Sequence, residues 1–135
     1  MKNPQRLRVE AEVEVRPSED IDKVKIALEK VVTGQIETIE TGEDRYMLRL
    51  AATERASLEK LKMIIQRDKI RTAARAVFNR NTHGDKLEVF LNKQVAYVGH
   101  VSFSEREGES PLGPIRLVIF AENISAVVDW LTSGR

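Results

Sequence analysis

The sequence contains no cysteine, few aromatic residues and no long apolar run. Without cysteine, the 135-residue chain offers neither a disulfide framework nor a thiolate metal site. Its apolar stretches are shorter than the roughly 18 residues of a membrane-spanning helix, and its first residues lack the apolar core of a signal peptide. We therefore expect a single domain, residues 1–135, that belongs in the cytoplasm.

Motifs that carry catalysis are missing as well. The two histidines, His83 and His100, are not spaced as a helical zinc-binding pair. The hydrolase Gly-x-Ser-x-Gly motif, the phosphate loop and the dinucleotide glycine motif are all absent. The nearest glycine-rich segment, residues 108–114, contains two prolines, which lack the amide donors of a phosphate cradle. The sequence thus predicts no enzyme, no cofactor and no metal site.

Charged residues are plentiful and unevenly distributed along the chain. Residues 55–94 contain 10 Lys and Arg against 4 Asp and Glu, a net charge of +6. The flanking segments are acidic, with 9 against 12 over residues 1–54 and 3 against 5 over residues 95–135. A basic middle third of this kind is either an anion-binding surface or a basic layer paired internally with the acidic flanks.

Hydrophobic periodicity predicts the fold class. Alternation with period two indicates strands, the first over residues 6–16, and spacing of three and four indicates helices. The resulting order is β-α-β-β-α-α-β-β-β-α. We therefore expect one α+β domain in which a mostly antiparallel sheet of about six strands carries its helices on one face.

Several local features follow from the same patterns. Ser18 is the expected N-cap of the first helix and Asn123 that of the last. The apolar spacing slips around residues 66–68, which predicts two helices or one bent helix. Residues 95–103 alternate and should pair with residues 86–92 as a hairpin, and residues 104–114 should form a surface loop.

The sharpest functional signal is a basic helix predicted over residues 67–80. Apart from its apolar stripe, it carries five basic residues and one acidic residue. Arg67, Arg71 and Arg75 follow one another at four-residue spacing, so a continuous helix would place them on one flank. Lys69 and Arg80 would lie on the other side of the stripe.

Hydrogen-bonding residues suited to phosphate and sugar lie at the end of this helix and in the turn after it. They are Asn79, Asn81, Thr82, His83 and Lys86, with Lys93 and Gln94 at the same rim. Aromatic residues amount to only 5%, and Phe78 and Phe103 fall on predicted core positions, so a base-stacking platform is not expected. The nucleic-acid-binding residues predicted from the sequence are Arg67, Lys69, Arg71, Arg75, Arg80, Lys86, Asn92, Lys93 and Gln94.

A structural interpretation competes with this binding interpretation. The arginines could instead pair with carboxylates, for which the candidates are Glu10, Glu12, Glu14, Glu59 and Asp68. Likewise, the segment Asn92-Lys93-Gln94 is either an exposed polar knuckle that touches phosphate or a turn whose side chains cap neighbouring backbone.

Two segments carry a family resemblance. The first is Leu91-Asn92-Lys93-Gln94-Val95-Ala96-Tyr97-Val98-Gly99, and the second is Glu109-Ser110-Pro111-Leu112-Gly113-Pro114-Ile115. Together with the strand that opens the chain, they resemble a family of small archaeal proteins classed as predicted RNA-binding or exosome-associated proteins. The resemblance covers nearly the whole chain. It implies a fold similar to the ribosomal protein that binds five-S ribosomal RNA, an archaeal cytoplasmic setting and an RNA-related role, and it names no catalytic residue.

Three hypotheses result. The first is a non-catalytic RNA-binding protein that contacts the backbone of structured RNA and is accessory to RNA processing, as with the exosome, or to ribosome assembly. Its protein partners would be RNA-processing or ribosomal proteins. The second is a protein-interaction or scaffold subunit without direct RNA contact, and the third is an enzyme acting on a phosphorylated ligand. A homodimer formed through exposed strand edges is left open.

Overall fold

Seven strands form one sheet within residues 6–104 and 113–134, the part of the chain that this computed structural model describes. They are β1 (Leu7–Val15), β2 (Gln35–Gly42), β3 (Arg45–Ala52), β4 (Thr82–His83), β5 (Lys86–Asn92), β6 (Phe103–Ser104) and β7 (Pro114–Ala121). Their spatial order is β2-β3-β1-β7-β5-β4, with the short β6 also paired to β5. Every pair is antiparallel.

In the same described part of the chain, five helices cover one face of this sheet. They are α1 (Ile21–Val31), α2 (Glu59–Arg67), α3 (Arg71–Arg80), α4 (Lys93–Tyr97) and α5 (Ile124–Leu131), with a 3₁₀ turn at Arg55–Leu58 before α2. Buried helix residues such as Leu28 and Phe78 join inward strand residues such as Leu50 and Leu117 in one core. Each such side chain contributes about 1.5 to 3 kcal/mol through burial. The predicted α+β class, with its largely antiparallel sheet, is confirmed.

The opposite face of the sheet carries polar side chains. Along β1 the buried residues Val9, Ala11 and Val13 alternate with Glu10 and Glu12, as the period-two pattern predicts. The registers align Glu12 with Arg49 of β3 and Arg116 of β7, so that charged residues from three adjacent strands lie side by side.

Helix boundaries near the N-terminus differ slightly from the prediction. Asp20, and not Ser18, is the N-cap of α1, because its carboxylate accepts a hydrogen bond of 2.9 Å from the Asp22 amide. Asn123 is the N-cap of α5, as predicted, and its side-chain oxygen accepts from the Ala126 amide. The loop predicted over residues 104–114 lies mostly outside the described residues.

The basic stretch predicted over residues 67–80 is divided between two helices. Helix α2 ends at Arg67, and α3 begins at Arg71. Between them Lys69 adopts a φ of 59°, a left-handed conformation that interrupts the helical hydrogen-bond pattern. The slip in apolar spacing therefore marks a true break, and Arg67 is not on the same helix as Arg71 and Arg75.

The hairpin predicted through Asn92-Lys93-Gln94 is wrong, because these residues begin a helix. The Asn92 side chain accepts a hydrogen bond of 2.9 Å from the Val95 amide, which caps α4. Of the strand predicted over residues 95–103, only Phe103 pairs with β5. A local alternation pattern could not reveal this helix, because Lys93 is held by Glu19, which is 74 residues away in the sequence.

Candidate nucleic-acid interface

Helix α3 presents its basic residues to two different neighbours. Arg75 forms an ion pair of 2.8 Å with Asp129 of α5. Arg80, at the other end of the helix, lies beside the β4–β5 hairpin. Arg71 is exposed at the start of α3, and Lys69 is exposed in the preceding turn. The structure therefore separates the predicted basic helix into distinct regions.

Arg67 belongs to a small charged cluster at the end of α2. Its guanidinium donates to Asp68 at 3.1 Å and to the Gly99 carbonyl at 2.6 Å. His100 lies 2.8 Å from the other carboxylate oxygen of Asp68. The hydrogen bond with His100, followed by that with Arg67, lowers the pKa of Asp68 below its ordinary value. Arg67 is thus paired with a carboxylate, as the structural interpretation anticipated.

Lys93 is a buried residue and does not reach the surface. Only 3% of it is exposed, and its ammonium group donates to the Glu14 carbonyl at 2.8 Å and to Glu19 at 3.0 Å. Burial lowers the pKa of Lys93, while the hydrogen bond and the charge of Glu19 oppose that change. The segment Asn92-Lys93-Gln94 therefore has a structural role. Asn92 caps α4, Lys93 joins α4 to Glu19 just before α1, and Gln94 is the exposed residue of the three.

The basic side chains that reach solvent together are Arg80, His83 and Lys86, which we call the basic edge. His83 of β4 and Lys86 of β5 are direct partners in the hairpin. The two-residue loop between them contains Gly84 with a φ of 62°, a conformation that a side chain would strain. Within the described ranges, none of the three side chains forms an ion pair or a hydrogen bond.

A cavity opens beside the basic edge, and we call it the edge pocket. Its volume is about 370 Å³. The end of α3 lines it with Val77, Arg80 and Asn81, and the sheet adds His83 of β4, Glu88 and Phe90 of β5, and both residues of β6. Strand β4 pairs with β5 up to Leu87 and β6 from Phe90 onward, so the pocket lies where one short strand ends and the other begins.

The outer face of the sheet is less suited to an anion. Glu12 pairs with Arg49 at 3.0 Å and with Arg116 at 3.5 Å, and Arg116 also pairs with Glu88. The hydrogen bond with Glu88 raises the pKa of Arg116. Positive and negative side chains thus pair with each other across four strands of this face, whereas Arg80, His83 and Lys86 form no ion pair with the described residues.

Sequence reasoning did not identify Glu88, Phe90 and Ser104 as site residues. The one signal available was Phe90, an aromatic residue on the polar side of an alternating strand. The others depend on β6, which pairs Ser104 with Phe90 across the sheet edge.

A family model described as "RNA binding" matches residues 8–120. The chain belongs to this RNA-binding family. A relative named UPF0201 protein from Metallosphaera sedula is 40% identical over 125 residues, 92% of this chain and 86% of the relative. Another UPF0201 protein, from Pyrobaculum neutrophilum, is 46% identical over 127 residues, 93% of this chain and 88% of the relative.

Solved structures share the fold of this chain. The crystal structure of a UPF0201 protein from Methanococcus jannaschii matches with a TM-score of 0.82 and 26% identity, covering 95% of this chain and 93% of that one. Mth689 from Methanothermobacter thermautotrophicus, at 22% identity and a TM-score of 0.61, shares the fold over 95% of this chain and 93% of its own. Among the described residues, no helix has both the length and the apolar character to cross a membrane.

Proposed function

We propose that this member of the RNA-binding family is a non-catalytic protein that holds structured RNA by its phosphate backbone at the basic edge. The observation that carries the proposal is the clustering of Arg80, His83 and Lys86, three basic side chains that reach solvent and form no ion pair with the described residues. Exposed cations of this kind attract a polyanion and release its bound counterions.

The other basic residues predicted from the sequence either extend this surface or are left out of it. Lys69 and Arg71 are exposed near the start of α3, about 15 Å from its end at a rise of about 1.5 Å per residue, and could meet a second phosphate group. Arg67 and Arg75 are already paired with carboxylates, and Lys93 is buried. Contacts of this sort position a backbone and carry no sequence information.

The first prediction concerns the salt dependence of RNA binding. We expect the double substitution Arg80→Gln and Lys86→Gln to weaken binding to a structured RNA hairpin about tenfold or more. It should also reduce the slope of log affinity against log salt by roughly 1.5, because each phosphate contact contributes about 0.7 to 0.9. Fluorescence anisotropy at several salt concentrations measures both quantities.

The matched control is Arg45→Gln combined with Lys25→Gln, which removes the same charge. Arg45 begins β3, on the far side of the sheet from β5, and Lys25 is exposed on α1. We expect the control to keep most of the slope. If both double variants lose affinity and slope equally, the basic edge has no special role.

The cellular role belongs to the same proposal. The family resemblance supports a protein in the archaeal cytoplasm that is accessory to RNA processing or to ribosome assembly, with RNA-processing or ribosomal proteins as partners. Affinity purification from the native source, followed by sequencing of the bound RNA, identifies which of the two RNA classes it meets.

A protein-interaction subunit is the second candidate function. The observation in its favour is exposed apolar surface: Tyr97 and Val98 at the end of α4 are 39% and 63% exposed, and Met63 of α2 is 65% exposed. Nuclease treatment of the purified complex separates the two functions, because a partner held through RNA is released and a partner held by these side chains stays bound.

A further inference from the structure

The edge pocket has the size and the position of a ligand site. Its volume of about 370 Å³ falls within the range of small-molecule sites, roughly 300 to 1,000 Å³. It opens where β4 and β6 leave a gap along β5, and two members of the basic edge, Arg80 and His83, line it. A strand of RNA held at the basic edge would therefore pass its mouth.

The lining combines an apolar wall with polar groups. Phe90 and Phe103 supply aromatic surface, and the rings of Phe103 and Phe78 form a T-shaped contact with 5.5 Å between their centroids. That contact fixes the position of the Phe103 wall. A flat, rigid ligand with polar atoms at its rim fits such a lining better than a flexible or fully charged one.

Asn81 gives the pocket a defined hydrogen-bonding character. Its side-chain nitrogen donates to the Val77 carbonyl at 2.7 Å, which fixes the orientation of the amide. The amide oxygen is left as an acceptor, with no partner among the described residues. An acceptor held in this way matches the exocyclic amino group of adenine, cytosine or guanine, and uracil has no such group.

We propose that the edge pocket receives the base of one unpaired nucleotide of the bound RNA, while Arg80 and His83 hold its phosphate. The inference rests on the proposed RNA binding and adds to it the class of RNA: a strand with a bulged or looped-out nucleotide, preferably one that bears an amino group. The cost of extruding a base is least where that base is already unpaired.

Filling the pocket tests this directly. Val77→Phe places a larger side chain in the lining, and Val98→Phe makes the same change at an exposed position that does not line the pocket. For a hairpin with a single bulged adenosine, we expect Val77→Phe to weaken binding about tenfold, the range of one base contact. Binding to the fully paired hairpin should stay within about twofold, and Val98→Phe should change neither.

Asn81→Ala serves as a second variant in case the larger side chain disturbs the fold, which circular dichroism would reveal. It should remove the preference for a bulged adenosine over a bulged uridine. Equal binding of bulged and paired RNA by the unaltered protein would overturn the inference and leave the proposed function standing. Absence of binding to every RNA would overturn both.

Adenosine monophosphate distinguishes the source of the nucleotide. We expect the free nucleotide to bind far more weakly than the bulged hairpin, since it lacks the neighbouring phosphates that the basic edge contacts. Tight binding of the monophosphate that Val77→Phe abolishes, without tight binding of RNA, would assign the pocket to a free nucleotide and overturn the inference.

Discussion

At the scale of single residues, the most consequential contacts join lysines to distant backbone and carboxylate groups. The side chains of Lys93 and Glu19 are 4% and 9% exposed in their ion pair. A buried pair is not necessarily stabilising as a whole, but removing one partner leaves the other as an uncompensated buried charge. Lys93 is therefore best understood as a structural residue, although its charge made it look like a phosphate ligand.

Replacing Lys93 tests this reading. We expect Lys93→Met to lower the free energy of unfolding by about 3 kcal/mol, because Glu19 would remain buried without its partner. Adding Glu19→Gln should recover part of the loss, since the neutral amide can still accept from the Arg16 amide. Urea denaturation measures these changes, and the exposed Lys25→Met is the control. A loss no larger than the control's would contradict the reading.

Asp68 gives a prediction for acid conditions. Its pKa is lower in the folded protein than in the unfolded chain, so the folded state binds fewer protons. The contribution of ionised Asp68 to the free energy of unfolding is therefore fully present above about pH 4 and is lost as the pH falls through the pKa of Asp68 in the folded protein. In Asp68→Asn, the unfolding free energy should therefore change less steeply with pH below about 4. Denaturation curves at several acidic pH values, with Asp22→Asn as the control, measure the difference.

At the scale of elements, strands were easier to predict than the connections between them. In β1 and β5, buried apolar residues alternate with more exposed residues, because every second side chain faces the core. Helix α4 escaped prediction because its apolar residues also fit a strand. What decides its conformation is the Asn92 cap and the contact of Lys93 with Glu19, which is 74 residues away. Pairing partners at that distance leave no periodic signal.

A single lysine also links two helices. Lys62 of α2 is buried and donates to the Trp130 carbonyl at 2.9 Å and to the Ser133 hydroxyl at 2.7 Å, near the C-terminal end of α5. A cation there meets the partial negative charge of the helix terminus.

We expect Lys62→Ala to lower the free energy of unfolding by about 1 to 3 kcal/mol, because the two acceptors would lose a charged donor and remain partly buried. Thermal denaturation monitored at Trp130 measures the effect. Lys25→Ala, which removes the same charge from an exposed position of α1, should leave the transition almost unchanged.

At the scale of the whole molecule, the uneven charge of the sequence is only partly preserved in space. Acidic residues from both ends of the chain reach the basic middle: Asp129 pairs with Arg75, and Glu19 pairs with Lys93. Composition could show that the middle third is basic, but it could not show which cations stay accessible. That depends on topology, which places the β4–β5 hairpin at a sheet margin, away from the carboxylates of β1.

The sheet has two unlike borders within the described residues. Strand β5 is covered by β4 and β6, so little of its backbone is available to another chain, whereas β2 presents eight residues along the opposite border. If two copies associate by strand addition, they would therefore join β2 to β2. Such a dimer would carry its two basic edges at the far ends of one continuous sheet, so that under the proposed function a single long RNA could bridge them.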